Sequence, residues 1–381
     1  MSKHLSKKRK ILLVISTIIL SGLIVLVFLE GFLRIIPIPG INFNVTKYDT
    51  LTSWGYYPHT TNIYISDRGD YVERVINNYG YFDKDFKKEK GKNILRIGFF
   101  GDSYTTAKQV KLNETFHYII EDSLKKFGIE TLSFGVEGFS TFQSYLTYKR
   151  WADFFDLDII VYVFFENDLG DQIRVIRQEQ SVYPQIVNGK LIVDNSFREQ
   201  RKNRLTTTYK IFDYLTSKSL VLATLSNRLH LLFKHGIKLN VTKEERFMTK
   251  NDTTKVIKYP PYLNQGDVPS VWPDSLKQVA IKLEKFVLLK WKREVEESGR
   301  DFIIIYTPTD IKHPTNKQDT WKPWLFEFCK ENKIPIIDPT DNLVAMEKRG
   351  YEVFYDHYTK YGNKAVANKF INYYKNQYIN N

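Results

Sequence analysis

Alternation of short apolar runs with helical stretches from residue 94 onward predicts an α/β fold, three layers deep, with a mainly parallel sheet between helices on both faces. Three observations carry this. The runs ILRIGFF (94–100), TLSFGV (131–136), DIIVYVFF (158–165), FIIIYTP (302–308) and IPIID (334–338) are apolar almost throughout and bounded by turn residues. Strands buried on both faces read this way, whereas half-exposed strands alternate. Between the runs, helical spacing recurs at 114–127, 141–153, about 274–298, 321–332 and 362–378. Finally, the polar and glycine-rich blocks cluster just after the runs, at the edge where open α/β sheets bind their ligands.

The N-terminus has a different character. Residues 1–10 hold Lys3, Lys7, Lys8, Arg9 and Lys10, and residues 11–29 (ILLVISTIILSGLIVLVFL) carry no charge. Nineteen helical residues cover roughly 28 Å, close to the bilayer core. A cleaved signal peptide has a shorter apolar core ending in a small-residue site, so the expectation is an uncleaved transmembrane signal anchor. The basic cluster then places the N-terminus in the cytosol and everything after Glu30 outside it. Residues 30–90 are aromatic and punctuated by proline, a lead-in expected to pack on the main domain, 91–381. At about 170–270 the alternation breaks. Asn188-Gly189 between alternating runs marks a β-hairpin, and TTYKIFDYLTSKSLVLATLSNRLHLLFKH is helical in texture. This insert is too long for a loop and is expected to form a cap.

Composition narrows the classes. Hydrophobic residues make up 43% and charged ones 26% of the 381 residues, as in ordinary globular proteins. The net charge of +13 suits an anionic membrane or polymer, but no nucleic-acid motif accompanies it. The single cysteine, Cys329, forms no internal disulfide, and the seven histidines show no metal-ligand spacing such as HExxH. No cofactor and no metal are expected.

Four blocks carry the chemistry. Gly101-Asp102-Ser103 ends the first strand, where a glycine permits a tight turn and the following helix aims its N–H groups at a ligand. Phe134-Gly-Val-Glu-Gly-Phe-Ser follows the second strand, Phe165-Glu-Asn-Asp the third, and Tyr355-Asp-His-Tyr-Thr-Lys-Tyr-Gly precedes the last helix. A serine, a glycine, an asparagine and a histidine thus converge from four distant segments. Asp102 reads as structural, bonding the turn's own N–H groups, and His117 as a packing or surface residue.

In this order, GDS at 101–103, GxxG at 135–138, ND at 167–168 and HxxxxG at 357–362 resemble the blocks of the SGNH/GDSL hydrolase superfamily over about 94–381, insert aside. The resemblance implies a flavodoxin-like five-stranded sheet. It also implies Ser103 as nucleophile, His357 as general base, and an oxyanion hole made by the Ser103 N–H, the Gly138 N–H and the Asn167 amide. The pattern departs at two places. The family's histidine-orienting acid usually lies two or three residues before the histidine, where this chain has Tyr355 and Phe354; Asp356 is adjacent instead. An adjacent side chain reaches the imidazole only with a particular backbone bend, so Asp356, a backbone carbonyl or a bare Ser–His dyad all stay open. Glu166 stands where a glycine commonly precedes the Asn-Asp pair.

The function expected is ester chemistry through an acyl-serine, with water (esterase) or a sugar hydroxyl (O-acyltransferase) as acceptor. An extracytoplasmic glycan or related ester is the substrate class that the anchored arrangement implies by family analogy. The alternative is a non-catalytic anchored protein that binds glycan or assists envelope assembly.

Overall fold

The computed structural model describes residues 6–235, 272–308 and 322–380. Its sheet is built from β1 (Leu95–Gly101), β2 (Ile129–Ser133), β3 (Ile159–Phe164), β4 (Asp301–Tyr306) and β5 (Ile336–Ile337). All pairings are parallel, in the order β2-β1-β3-β4-β5. Ile97 is the register point, opposite Thr131 on one side and Ile159 on the other. This is the flavodoxin-like order, whose switch point falls between β1 and β3.

Side-chain alternation along β1 and β3 builds two cores. Ile97, Phe99, Ile159, Val161 and Val163 face α2 (Phe116–Leu124) and, further along the chain, α8 (Thr340–Lys348) and α9 (Lys360–Tyr374). Phe100, Ile160, Tyr162 and Phe164 face α3 (Thr141–Trp151), α6 (Asp274–Glu297) and α7 (Lys322–Glu331). Trp291 of α6, fully buried, centres the second core, with ring centroids 5.1 Å from Tyr162 and 5.4 Å from Phe302.

Most elements lie within a few residues of their sequence positions. The segment 334–338 contributes only Ile336–Ile337 as strand, because Pro335 has no N–H to donate and joins the edge through its carbonyl, which accepts from Ile304 N at 2.9 Å. The second strand ends at Ser133, three residues before the end of the apolar run 131–136. There Gly135 brings the chain against the serine turn: a Cβ on it would lie 2.4 Å from Thr106 N and 2.6 Å from Thr105 C.

The lead-in is more than a covering. Its hairpins, Thr46–Asp49 with Ser53–Tyr56 and Thr61–Ile65 with Tyr71–Val75, and the turns after them deliver Tyr56, Ile76, Tyr81, Phe82 and Phe86 into the second core. In the insert, Asn188 and Gly189 turn the hairpin Tyr183–Val187/Lys190–Asp194 with φ of 50° and 72°. Two helices follow, α4 (Thr207–Lys218) and α5 (Leu220–His235). The last part of the insert lies outside the described residues. At the N-terminus, α1 (Lys7–Ile35) is 29 residues long, with a window of mean hydropathy 3.0 and none of that window buried.

Candidate active site

β1 leads straight into the serine turn. Asp102 Oδ1 accepts from Tyr104 N at 2.9 Å, which caps the single turn Ser103–Thr106. That turn ends in left-handed Ala107, and the buried Arg74 of the lead-in donates to the carbonyls of Thr106 (3.2 Å) and Ala107 (2.9 Å). Ser103 is therefore fixed from both ends, half-buried, at the carboxyl edge of the sheet.

His357 comes from the far end of the chain. Its Nε2 lies 2.8 Å from Ser103 Oγ, across 254 residues of sequence. The ring rests on Tyr104, centroids 4.9 Å apart, and the next residue, Tyr358, is held by Gln109 Nε2 donating to its carbonyl (2.8 Å) and by its own hydroxyl donating to Pro308 O (2.7 Å). Asp356 is the turn of a very tight hairpin, with Tyr355 paired to His357 across it. Its φ of +60° is the left-handed conformation that aspartate tolerates better than most residues. That bend folds the carboxylate back so that Oδ2 lies 3.0 Å from His357 Nδ1. The Asp356 side chain is 70% exposed.

The remaining two residues lie in the segments that follow β2 and β3. Gly138 has φ +69° in the loop after β2, and a Cβ there would sit 2.7 Å from Arg177 Nη2. That loop runs beside the serine turn, with Val136 N bonded to Gly101 O at 3.1 Å. Both main-chain groups of Glu137 are held by the lead-in: its N–H by the Tyr56 hydroxyl (2.8 Å), its carbonyl by Trp54 Nε1 (3.1 Å). Asn167 follows β3 and hydrogen-bonds Asp102, while its Oδ1 is buried without a partner. A primary amide has two N–H groups, so one holds Asp102 and a second remains.

Beneath the site lies a buried acidic chain that sequence reading missed. Asp168 Oδ2 accepts from the Tyr162 hydroxyl at 2.5 Å, Tyr162 meets Thr141 Oγ1 at 2.7 Å, and Thr141 donates to Glu284 Oε2 at 2.8 Å, which also accepts from Gln172 Nε2 at 2.6 Å. Burial pushes Glu284 up to about 7 and holds Asp168 well above the usual carboxylate range, the Asp102 charge adding to the effect. Asp102 is raised by burial too, against the pull of Tyr104 N, His357 and Asn167. Only the Asn-Asp pair was visible in the sequence. Glu284 sits in a long charged helix and reads there as a surface residue.

Beside Gly138 a pocket of about 460 Å³ opens between the lead-in and the insert, lined by Trp54, Tyr56, Glu137, Arg177, Gln180 and Arg201 among others. Nothing in the sequence joined these segments. His117, expected to pack or face solvent, is fully buried near Asp83, and burial lowers its pKa well below the usual histidine value.

Solved structures similar to this chain include a lipolytic protein of the G-D-S-L family from Veillonella parvula, 12% identical over 73% of this chain and 97% of that one, with a TM-score of 0.35. Another is the acetyl xylan esterase AlAXEase, 14% identical over 73% and 99%, TM-score 0.38. A third is a variant of an acetyl-xylooligosaccharide esterase from Geobacillus, 10% identical over 74% and 95%, TM-score 0.38. Neither a protein-family model nor a curated protein matches the sequence.

Proposed function

We propose that this chain is a membrane-anchored, serine-dependent ester enzyme of the SGNH/GDSL type that removes or transfers an acyl group, acetyl foremost, on an extracytoplasmic glycan. The observation that carries the proposal is the hydrogen-bonded series Ser103 Oγ, His357 Nε2, His357 Nδ1, Asp356 Oδ2, at 2.8 and 3.0 Å. A serine hydroxyl becomes nucleophilic when a positioned base takes its proton. Ser103 Oγ attacks the ester carbonyl as His357 Nε2 accepts that proton, and Asp356 steadies the imidazolium. The carbonyl oxygen takes up the negative charge, and the Ser103 and Gly138 N–H groups with the second Asn167 N–H are its donors. Collapse of the intermediate expels the alcohol, protonated by His357, and leaves an acyl-Ser103. Water, or a sugar hydroxyl, then gives its proton to the same nitrogen and attacks, releasing the acid or the new ester and restoring Ser103.

The substrate class is supported by the pocket beside Gly138. Trp54 offers aromatic surface, while Arg177, Arg201, Gln180 and Glu137 offer planar hydrogen-bonding groups, a mixture matched to a polyhydroxylated ligand. Anchoring is supported by α1, exposed along its apolar length, and the basic residues before that length favour a cytosolic N-terminus with the catalytic domain outside. The acid's unusual position favours the non-catalytic alternative; the left-handed turn at Asp356, with its carboxylate 3.0 Å from the imidazole, supports the catalytic reading.

The test is covalent labelling of the full chain in lipid nanodiscs by a fluorophosphonate serine probe. Labelling that disappears in Ser103→Ala is the expected result. A folded protein that does not label, or labels equally in the variant, overturns the proposal. Acetylated oligosaccharides, with and without an added sugar acceptor, then separate hydrolysis from transfer.

A further inference from the structure

The first insert helix carries its polarity reversed. In α4 the buried side chains are Asp213, Thr216 and Ser217, while Ile211, Phe212, Tyr214 and Leu215 are exposed. The polar face is turned inward by specific bonds: the Tyr57 hydroxyl donates to Asp213 at 3.1 Å and Asn44 Nδ2 to Thr216 Oγ1 at 3.3 Å. In α5, Leu222, Leu225, Leu229 and Leu232 are all exposed. Their spacing of three, four and three residues sets them in one stripe about 80° wide on a helix turning 100° per residue. Scattered surface leucines need no explanation, but an exposed apolar stripe on one helix beside exposed Ile211, Phe212 and Leu215 on the helix before it does.

The neighbouring helix identifies what covers it. Glu30 is the first charged residue after the apolar run 11–29, and its carboxylate accepts from Ser219 Oγ (2.8 Å), Leu220 N (3.2 Å) and Val221 N (3.1 Å), capping the start of α5. Arg34 donates to Lys218 O at 2.8 Å, and Leu33 packs with Leu220 and Val221. The α4–α5 junction is thus tied to α1 where its apolar length ends, the level of lipid headgroups. Asp213 is the sole carboxylate in the sequence of the two helices and faces inward, whereas Lys210 and Arg228 are exposed.

We propose that α4 and α5 rest on the same membrane that α1 crosses, with the leucine stripe and Ile211, Phe212 and Leu215 in the boundary between headgroups and acyl chains, and Lys210 and Arg228 toward anionic phosphates. This rests on reading α1 as an anchor. The insert then acts as a foot that fixes how the domain stands on the bilayer.

The test uses the full chain, with Cys329→Ser, in vesicles of phosphatidylglycerol and phosphatidylethanolamine. A nitroxide is attached through Leu225→Cys or Leu229→Cys, through Asn227→Cys on the opposite side of α5, and through Ile19→Cys within α1. Collision with oxygen, concentrated in hydrocarbon, is compared with collision with a water-soluble nickel chelate; circular dichroism checks folding, with Leu222→Cys and Leu232→Cys in reserve. Labels at 225 and 229 should be reached by oxygen and shielded from nickel at least fivefold relative to 227. Labels at 225 and 229 open to nickel, with 19 in hydrocarbon, overturn the foot but keep the anchor. Labels at 225 and 229 shielded from both reagents also overturn it and point to a protein occupant. A label at 19 open to nickel overturns the anchor and the foot together.

Discussion

Asp356→Asn is the substitution on which the catalytic geometry can be judged most closely. It keeps size and much of the hydrogen bonding but removes the charge 3.0 Å from His357 Nδ1. With the carboxylate 70% exposed, water screens the pair. Coulomb's law gives about 1.4 kcal/mol for unit charges at that distance in bulk water, and about twice that if the effective dielectric constant is halved. At 1.36 kcal/mol per decade, losing this stabilisation of the imidazolium lowers kcat by about 10- to 100-fold. A buried, desolvated acid would be worth much more, and loss of the orienting acid in a buried triad costs about 10⁴-fold. The assay is steady-state hydrolysis of a small acetyl ester, beside Ser103→Ala and His357→Ala, which should both fall to background. A loss in Asp356→Asn as deep as theirs would refute the screening argument. No loss at all would mean that the left-handed turn does not orient His357.

Three further outcomes follow from the surrounding structure. Tyr56→Phe leaves the Glu137 N–H without its acceptor, a cost of about 1–3 kcal/mol placed on the loop that carries Gly138; kcat should fall roughly tenfold with KM little changed, and unchanged kinetics would show that the lead-in does not position that loop. Gly135→Ala brings a methyl within 2.4 Å of Thr106 N, backbone that cannot swing aside, so thermal melting should show a destabilisation of about 1–3 kcal/mol or more, with serine-probe labelling reduced. The buried Glu284 carboxyl binds its proton more tightly in the folded chain, about 7 against 4.5 in its unperturbed state, so its contribution to stability is greatest below pH 4.5 and is lost as pH rises toward 7. Glu284→Gln should flatten that part of the melting-temperature profile, a difference on the order of 3 kcal/mol at pH 8; an unchanged profile would place the titration elsewhere.

The strands, the helices between them and the polar blocks were legible because each is a local pattern: continuous apolar runs for strands buried on both faces, turn residues at their ends, a 19-residue uncharged stretch at the N-terminus. Ser103 and His357 could be named because the four blocks together resemble a known family pattern, and their convergence was legible because a parallel sheet brings the carboxyl ends of its strands together whatever the sequence distance. What the tertiary structure decided are contacts that no local pattern encodes. The reach of Asp356 to the imidazole depends on a single left-handed φ. The bracing of the Gly138 loop depends on Tyr56 and Trp54, some eighty residues earlier. The buried chain from Asp168 to Glu284 turns charged residues that look solvated into core ones, because α6 packs across β3. The leucines of α5 show the same division: their spacing announces an amphipathic helix, but spacing gives only the existence of an apolar face. The direction in which that face points is fixed by what the opposite side bonds to, here Glu30 at the helix start and, for α4, the inward pair Asp213 and Thr216.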